Sequence, residues 1–154
     1  MIEDAVENCI IKADNFDPEK IALYDEDKIQ QLISDSSIIR NKLKIRSTIR
    51  NAQLFLDVQD QYDGFGKFIW KFTDGSPIIN KHKRMEDIPA KSKESDEMSK
   101  ALLKLGFKFV GSTICYAFMQ AAGIVNDHTT DCFRYETLKR MAFQMEFEKH
   151  QITH

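Results

Sequence analysis

From Phe109 to Asn126 the chain carries no charged side chain, although 30% of its residues are charged. Within this run Ile114, Cys115, Ala117, Phe118, Ala121 and Ala122 occupy nearly every direction around a helix. A helix that is apolar all round belongs either in a core or in a membrane. The run approaches the roughly 18 residues that a membrane span needs. Ser112, Thr113, Tyr116, Gln120 and Asn126 stand against lipid, where a polar group without a partner is expensive. The run therefore predicts a central core helix that opens near Ser112 and ends at Gly123, with the other helices packed around it.

The remainder reads as helix almost throughout, so the fold class expected is all-α. Ala5, Val6, Cys9 and Ile10 share one side of a short helix within residues 1–14. Asp17 and Pro18 form a cap and first-turn pair, and Asp25 caps a helix bearing Ile29, Leu32 and Ile33. Ser34 to Ser37 break it. A longer helix from Lys42 to Val58 turns Ile45, Ile49, Ala52 and Leu56 to the core. Phe65, Phe68, Ile69 and Phe72 predict a short helix between Gly64 and Gly75, with Trp70 as a packing residue. Residues 73–94 read as an irregular connection, in which Pro77 to Asn80 is the best strand signal. Ser95 is expected to cap the helix carrying Met98, Leu102, Leu103 and Leu105.

Composition sets the limits. A chain of 154 residues, 42% of them hydrophobic, is long enough for one domain with a proper core. The start, with Glu3, Asp4 and Glu7, has no basic region before an apolar run and so does not read as a secretory signal. Cys9, Cys115 and Cys132 are scattered and odd in number, which points to reduced thiols and a cytoplasmic setting. The net charge of −2 gives no overall attraction to nucleic acid, so DNA binding would require a local patch.

One such patch lies between Ser36 and Arg50. It contains Arg40, Lys42, Lys44, Arg46 and Arg50, and no acid falls between Asp35 and Asp57. A solvated helix face is the commoner fate of such a run. The alternative is contact with phosphates, which positions a protein on DNA without reading its sequence. A second feature is His128 with Cys132, four residues apart, which a helical turn would project from one face. Imidazole and thiolate are preferred zinc ligands, but a structural zinc needs four.

Several runs together resemble the DNA-3-methyladenine glycosylase I family. They are Gly106 to Gly111, Thr113 to Tyr116, Phe118 to Ala121, Val125 to His128, and Cys132. The likeness continues upstream through Phe16 to Pro18, Asp35, Ile38 to Arg40, Lys44 and Ile45, Asn51 and Ala52, and Ile88 and Pro89. It implies a helix-hairpin-helix DNA glycosylase fold and excision of 3-methyladenine from alkylated duplex DNA. It places the DNA-gripping hairpin at the basic patch, so that Arg40, Lys42, Lys44 and Arg46 are the expected DNA-binding residues. In that hairpin the family favours glycines where Ser37 and Leu43 stand here.

The resemblance also makes His128 and Cys132 half of a structural zinc site. Its other Cys and His, the base-recognition glutamate and the aromatics around the extruded base belong to an earlier segment of family members. We expect this chain to be truncated with respect to that segment, so no catalytic residue is assigned and zinc is expected to be weak or absent. The alternative expectation is an inactive member that binds DNA weakly or self-associates. A surplus C-terminal helix over residues 135–148 suits self-association, since Tyr135, Leu138, Met141, Ala142 and Met145 line one face. Phe143 and Phe147 widen that face, and Glu136 can pair with Lys139 or Arg140. Such a helix is expected to shield an apolar patch on its own subunit or a partner's.

Overall fold

The computed structural model describes residues 13–38 and 40–152, with side chains as far as Gln144. The helix expected within residues 1–14 lies almost wholly outside them. Asp14, Asn15 and Phe16 form a tight turn at φ of 50°, 56° and 56°, which no α-helix accommodates. The described elements are α1 (Pro18–Ala22), α2 (Glu26–Ser34), α3 (Lys42–Gln61), α4 (Phe65–Trp70), β1 (Ile78–Ile79), α5 (Lys93–Leu105), α6 (Ser112–Ala121), β2 (Val125–Asn126) and α7 (Phe133–Ile152). Among the described residues the fold is all-α apart from one two-residue strand pair. Among the described residues no helix is long and apolar enough to cross a membrane.

These elements fall into two compact units. The first holds the described residues up to Phe65 together with Leu103–Phe109. Its helices start where the sequence supplies acceptors for free amides. Asp17 accepts from Glu19 N at 3.0 Å, Asp25 from Lys28 N at 2.9 Å and Asn41 from Lys44 N at 3.0 Å. Ile21, Ile29, Ile49 and Ala52 form its buried cluster, with Ile33, Tyr24 and Ile45 packed against them. The Phe55, Phe65 and Phe107 rings also pack together within it, tilted against one another with successive centroids 4.5 and 6.4 Å apart.

The second unit holds Gly66–Leu102 and Val110 onward. Phe68, Met98, Met119 and Ile124 are almost wholly buried in it. Its strands pair parallel, Ile78 with Val125 and Ile79 with Asn126. Helix α5 begins two residues earlier than the expected Ser95 cap. Ser92 and Ser95 instead cap each other, Ser95 Oγ accepting from Ser92 N at 2.8 Å and Ser92 Oγ from Ser95 N at 3.2 Å. Helix α6 opens at Ser112 and is closed by Gly123 at φ 73°.

Helix α6 is not encased as expected. Cys115, Tyr116 and Met119 are buried, but Ile114 is 60% and Phe118 44% exposed, and Ala117 and Ala121 also face solvent. Apolar character all round a helix permits complete burial without requiring it. On α7 the face expected to pack is used in part: Tyr135 and Ala142 are buried and Leu138 half-buried, while Met141 is exposed. The Met145 and Phe147 side chains lie outside the described ones.

Candidate functional site

In the first unit, α2 and α3 are joined by residues 35–41, and the basic residues gather at the start of α3. Arg40, Lys42, Lys44 and Arg46 are all exposed. Asp35 ties down the turn by accepting from Ser37 N at 2.9 Å and Ser37 Oγ at 2.6 Å. Arg46 is engaged with its neighbour helix, since its Nη2 lies 2.7 and 2.9 Å from the two Glu26 carboxylate oxygens. Hydrogen bonds from Gln30 and then Arg46 hold the Glu26 carboxyl below its ordinary range. Among the described residues no carboxylate pairs with Arg40, Lys42 or Lys44. These three therefore keep charge to spare for a phosphate.

The second unit contains a buried carboxylate hub. Asp127, only 7% exposed, follows β2 directly. Its Oδ1 accepts from Asn80 Nδ2 at 2.7 Å and meets His82 Nε2 at 2.9 Å. Its Oδ2 accepts from Tyr116 Oη at 2.6 Å and Gln120 Nε2 at 2.7 Å. Burial alone would push the Asp127 carboxyl up and is the largest single effect. The donors, Tyr116 foremost, outweigh it together, so the group stays below its ordinary value. The same contact, added to burial, pushes the Tyr116 phenol well above its usual range.

The hub borders a cleft of about 260 Å³ lined by Met85, Ile88, Gln120, Val125, His128 and Cys132, among others. The two residues expected to bind metal meet at its rim, with Cys132 Sγ 3.5 Å from His128 Nδ1. Zinc–sulfur and zinc–nitrogen bonds of ~2.3 and ~2.05 Å at a tetrahedral angle place the two donors ~3.5 Å apart. The pair therefore fits one zinc. Among the described residues no cluster of three or more His, Cys, Asp or Glu forms. His82 is committed to Asp127.

A family model described as Methyladenine glycosylase matches residues 6–135. The chain belongs to the methyladenine glycosylase family. Among relatives of this family, DNA-3-methyladenine glycosylase 1 of Escherichia coli is 43% identical over 78% of this chain and 64% of its own length. The DNA-3-methyladenine glycosylase of Haemophilus influenzae is 40% identical over 76% of this chain and 63% of its own. A crystal structure of 3-methyladenine DNA glycosylase I superposes with a TM-score of 0.79 at 43% identity, covering 84% of this chain and 71% of that one. The chain thus spans rather less than two thirds of the length of the two named enzymes.

The hub went unread in the sequence. Asn80 and His82 lie in the irregular stretch, more than 40 residues before Asp127, and only the fold brings them to it. A local signal did exist. Tyr116 and Gln120, four residues apart in a charge-free run, share one helix face, and polar groups in such a run need a partner.

Proposed function

We propose that this chain is a DNA repair glycosylase acting on 3-methyladenine in alkylated duplex DNA, in a cytoplasmic setting. The observation that carries the reading is the 43% identity to the E. coli enzyme over 120 residues. Family members extrude an alkylated base and cleave its N-glycosidic bond, and unstacking costs a few kcal/mol that the binding surface must offset. On this reading the α2–α3 turn acts as the hairpin of a helix-hairpin-helix element. Arg40, Lys42 and Lys44 attract the phosphate backbone, and Arg46 braces α3 against α2 through Glu26. No residue of this chain is assigned to recognise the base.

His128 and Cys132 are read as two ligands of a structural zinc, which supplies cross-linking and no catalytic step. Tight binding requires two more donors, for which Cys9, His150 and His154 are the remaining Cys and His residues outside the described side chains. A second reading, self-association through α7, draws on the exposure of Phe133, Met141 and Phe143. Light scattering separates the two, because a monomer at micromolar concentration is incompatible with it.

The test is duplex binding against salt, with release of 3-methyladenine from alkylated DNA measured alongside. We expect sequence-independent binding that weakens steeply with salt and a flatter slope for the Lys42→Ala/Lys44→Ala double variant. An unchanged slope in that variant would remove the patch from the account. Release of 3-methyladenine by the chain would place a base pocket within it.

A further inference from the structure

The basic turn has a second wall, contributed by residues 57 and more positions away in sequence. Asn51, near the middle of α3, grips the backbone of Lys108 with both ends of its side-chain amide. Asn51 Nδ2 donates to Lys108 O at 2.9 Å, and Lys108 N donates to Asn51 Oδ1 at 2.9 Å. Such a two-bond clamp fixes the Lys108 peptide in both position and tilt. The segment it holds is tightly turned. Gly106 stands at φ 101°, and Phe109 at φ 59°, a conformation uncommon for a residue with a bulky side chain. Backbone of this kind persists where surrounding structure enforces it, and it gathers at binding sites.

What the clamp holds out is chemically specific. Lys108 is exposed, and the Phe109 ring, itself half exposed, lies 6.0 Å from the Lys44 ammonium. One cation from α3 therefore lies over an exposed aromatic ring, and a second exposed cation, Lys108, precedes that ring in the chain. No carboxylate pairs with either lysine among the described residues. Cations beside an exposed ring match the two faces of a nucleotide, its charged phosphodiester and its apolar sugar and base surfaces.

Building on the DNA-binding reading above, we propose that Lys108 is a phosphate-contacting residue and that Phe109 packs against the neighbouring nucleotide. Asn51 is the positioning residue that presets both. The basic turn and the segment Gly106–Phe109 then form one continuous track along a DNA strand, with Lys44 as the shared member.

The test is fluorescence anisotropy of the full chain on a labelled duplex across a salt series. Releasing one phosphate contact lowers the magnitude of the slope of log K against log salt by about 0.9. Lys108→Ala is expected to show that loss. Phe109→Ala is expected to weaken binding several-fold with the slope unchanged, because the contact removed is apolar. Asn51→Ala is expected to lose slope like Lys108→Ala, which a merely structural role would not produce. Circular dichroism confirms that each variant is folded, and Phe109→Ala, at an exposed site, remains informative if Asn51→Ala is not. Wild-type slopes in Lys108→Ala with wild-type affinity in Phe109→Ala would overturn the proposal. If Lys42 and Lys44 variants still lost slope, the DNA-binding reading would stand without it. A wild-type chain that bound no duplex at any salt would overturn both.

Discussion

Replacing Asp127 measures how much the buried hub contributes to the second unit. Four donors converge on its two oxygens at 2.6 to 2.9 Å. Hydrogen bonds to an ionised group contribute about 1.5–3 kcal/mol each, and a buried donor left without a partner costs about 1–3 kcal/mol. These do not sum to four full bonds, because removing the carboxylate also removes the cost of burying its charge. The cleft beside the hub admits water to some of the freed groups. Asp127→Ala strands all four donors, and with partial hydration a loss of about 3–4 kcal/mol is expected. Asp127→Asn keeps the shape and one acceptor. The Tyr116 hydroxyl can rotate and the Gln120 amide can turn over to meet the new NH₂ group. Only the charge-assisted part is then lost, about 1–2 kcal/mol. For a chain of this size each kcal/mol moves the melting temperature by about 2–4 °C, so shifts near 10 °C for Ala and near 4 °C for Asn are expected. The assay is thermal unfolding followed by far-UV circular dichroism, with the denaturant midpoint as a check. A melting temperature for Asp127→Ala within about 2 °C of wild type, or an Asn variant less stable than the Ala variant, would refute the reasoning, since the size and the order both follow from the donor geometry.

Two further outcomes are expected. The Tyr24 phenol is held above its usual range by burial and then by its hydrogen bond to Asp14, so its contribution is fully present below the ordinary tyrosine pKa of about 10 and is lost as pH rises through the folded value. The denaturant midpoint of wild type is therefore expected to fall between pH 9 and pH 11 by more than that of Tyr24→Phe, and parallel curves would contradict the assignment. For metal, elemental analysis after extensive dialysis is expected to find well under one zinc per chain, with Cys132→Ser lowering it further; one firmly held zinc per chain would mean that two more ligands complete the shell.

Most helix positions, and the caps at Asp17 and Asp25, were legible because they are local. Asp17 and Asp25 each accept from an amide two or three residues ahead, a bond that depends only on neighbouring residues. The strand at Ile78 was legible for the same reason, but its partner was not. A two-residue strand adds no periodicity, and its pairing with Val125 depends on where α6 ends. The exposed side of α6 marks a different limit. Ile114 and Phe118 satisfy every rule for a core residue, and composition alone does not say which side of an apolar helix is covered.

The candidate sites divide along the same line. His128 and Cys132 do come within 3.5 Å of each other, but through a non-helical turn ahead of α7 and not through the helical turn expected. The run of cations opening α3 was plain. What the sequence hid was how its members differ, because Glu26 occupies Arg46 from 20 positions upstream while no carboxylate among the described residues pairs with Lys44, which lies beside Phe109. Charge counted along the chain treats Arg46 and Lys44 alike. A phosphate would not, since recruiting Arg46 means first breaking a pair of 2.7 and 2.9 Å contacts to a carboxylate. The cations that matter for an anionic ligand are thus those the fold leaves without a partner, and pairing across the chain decides which those are.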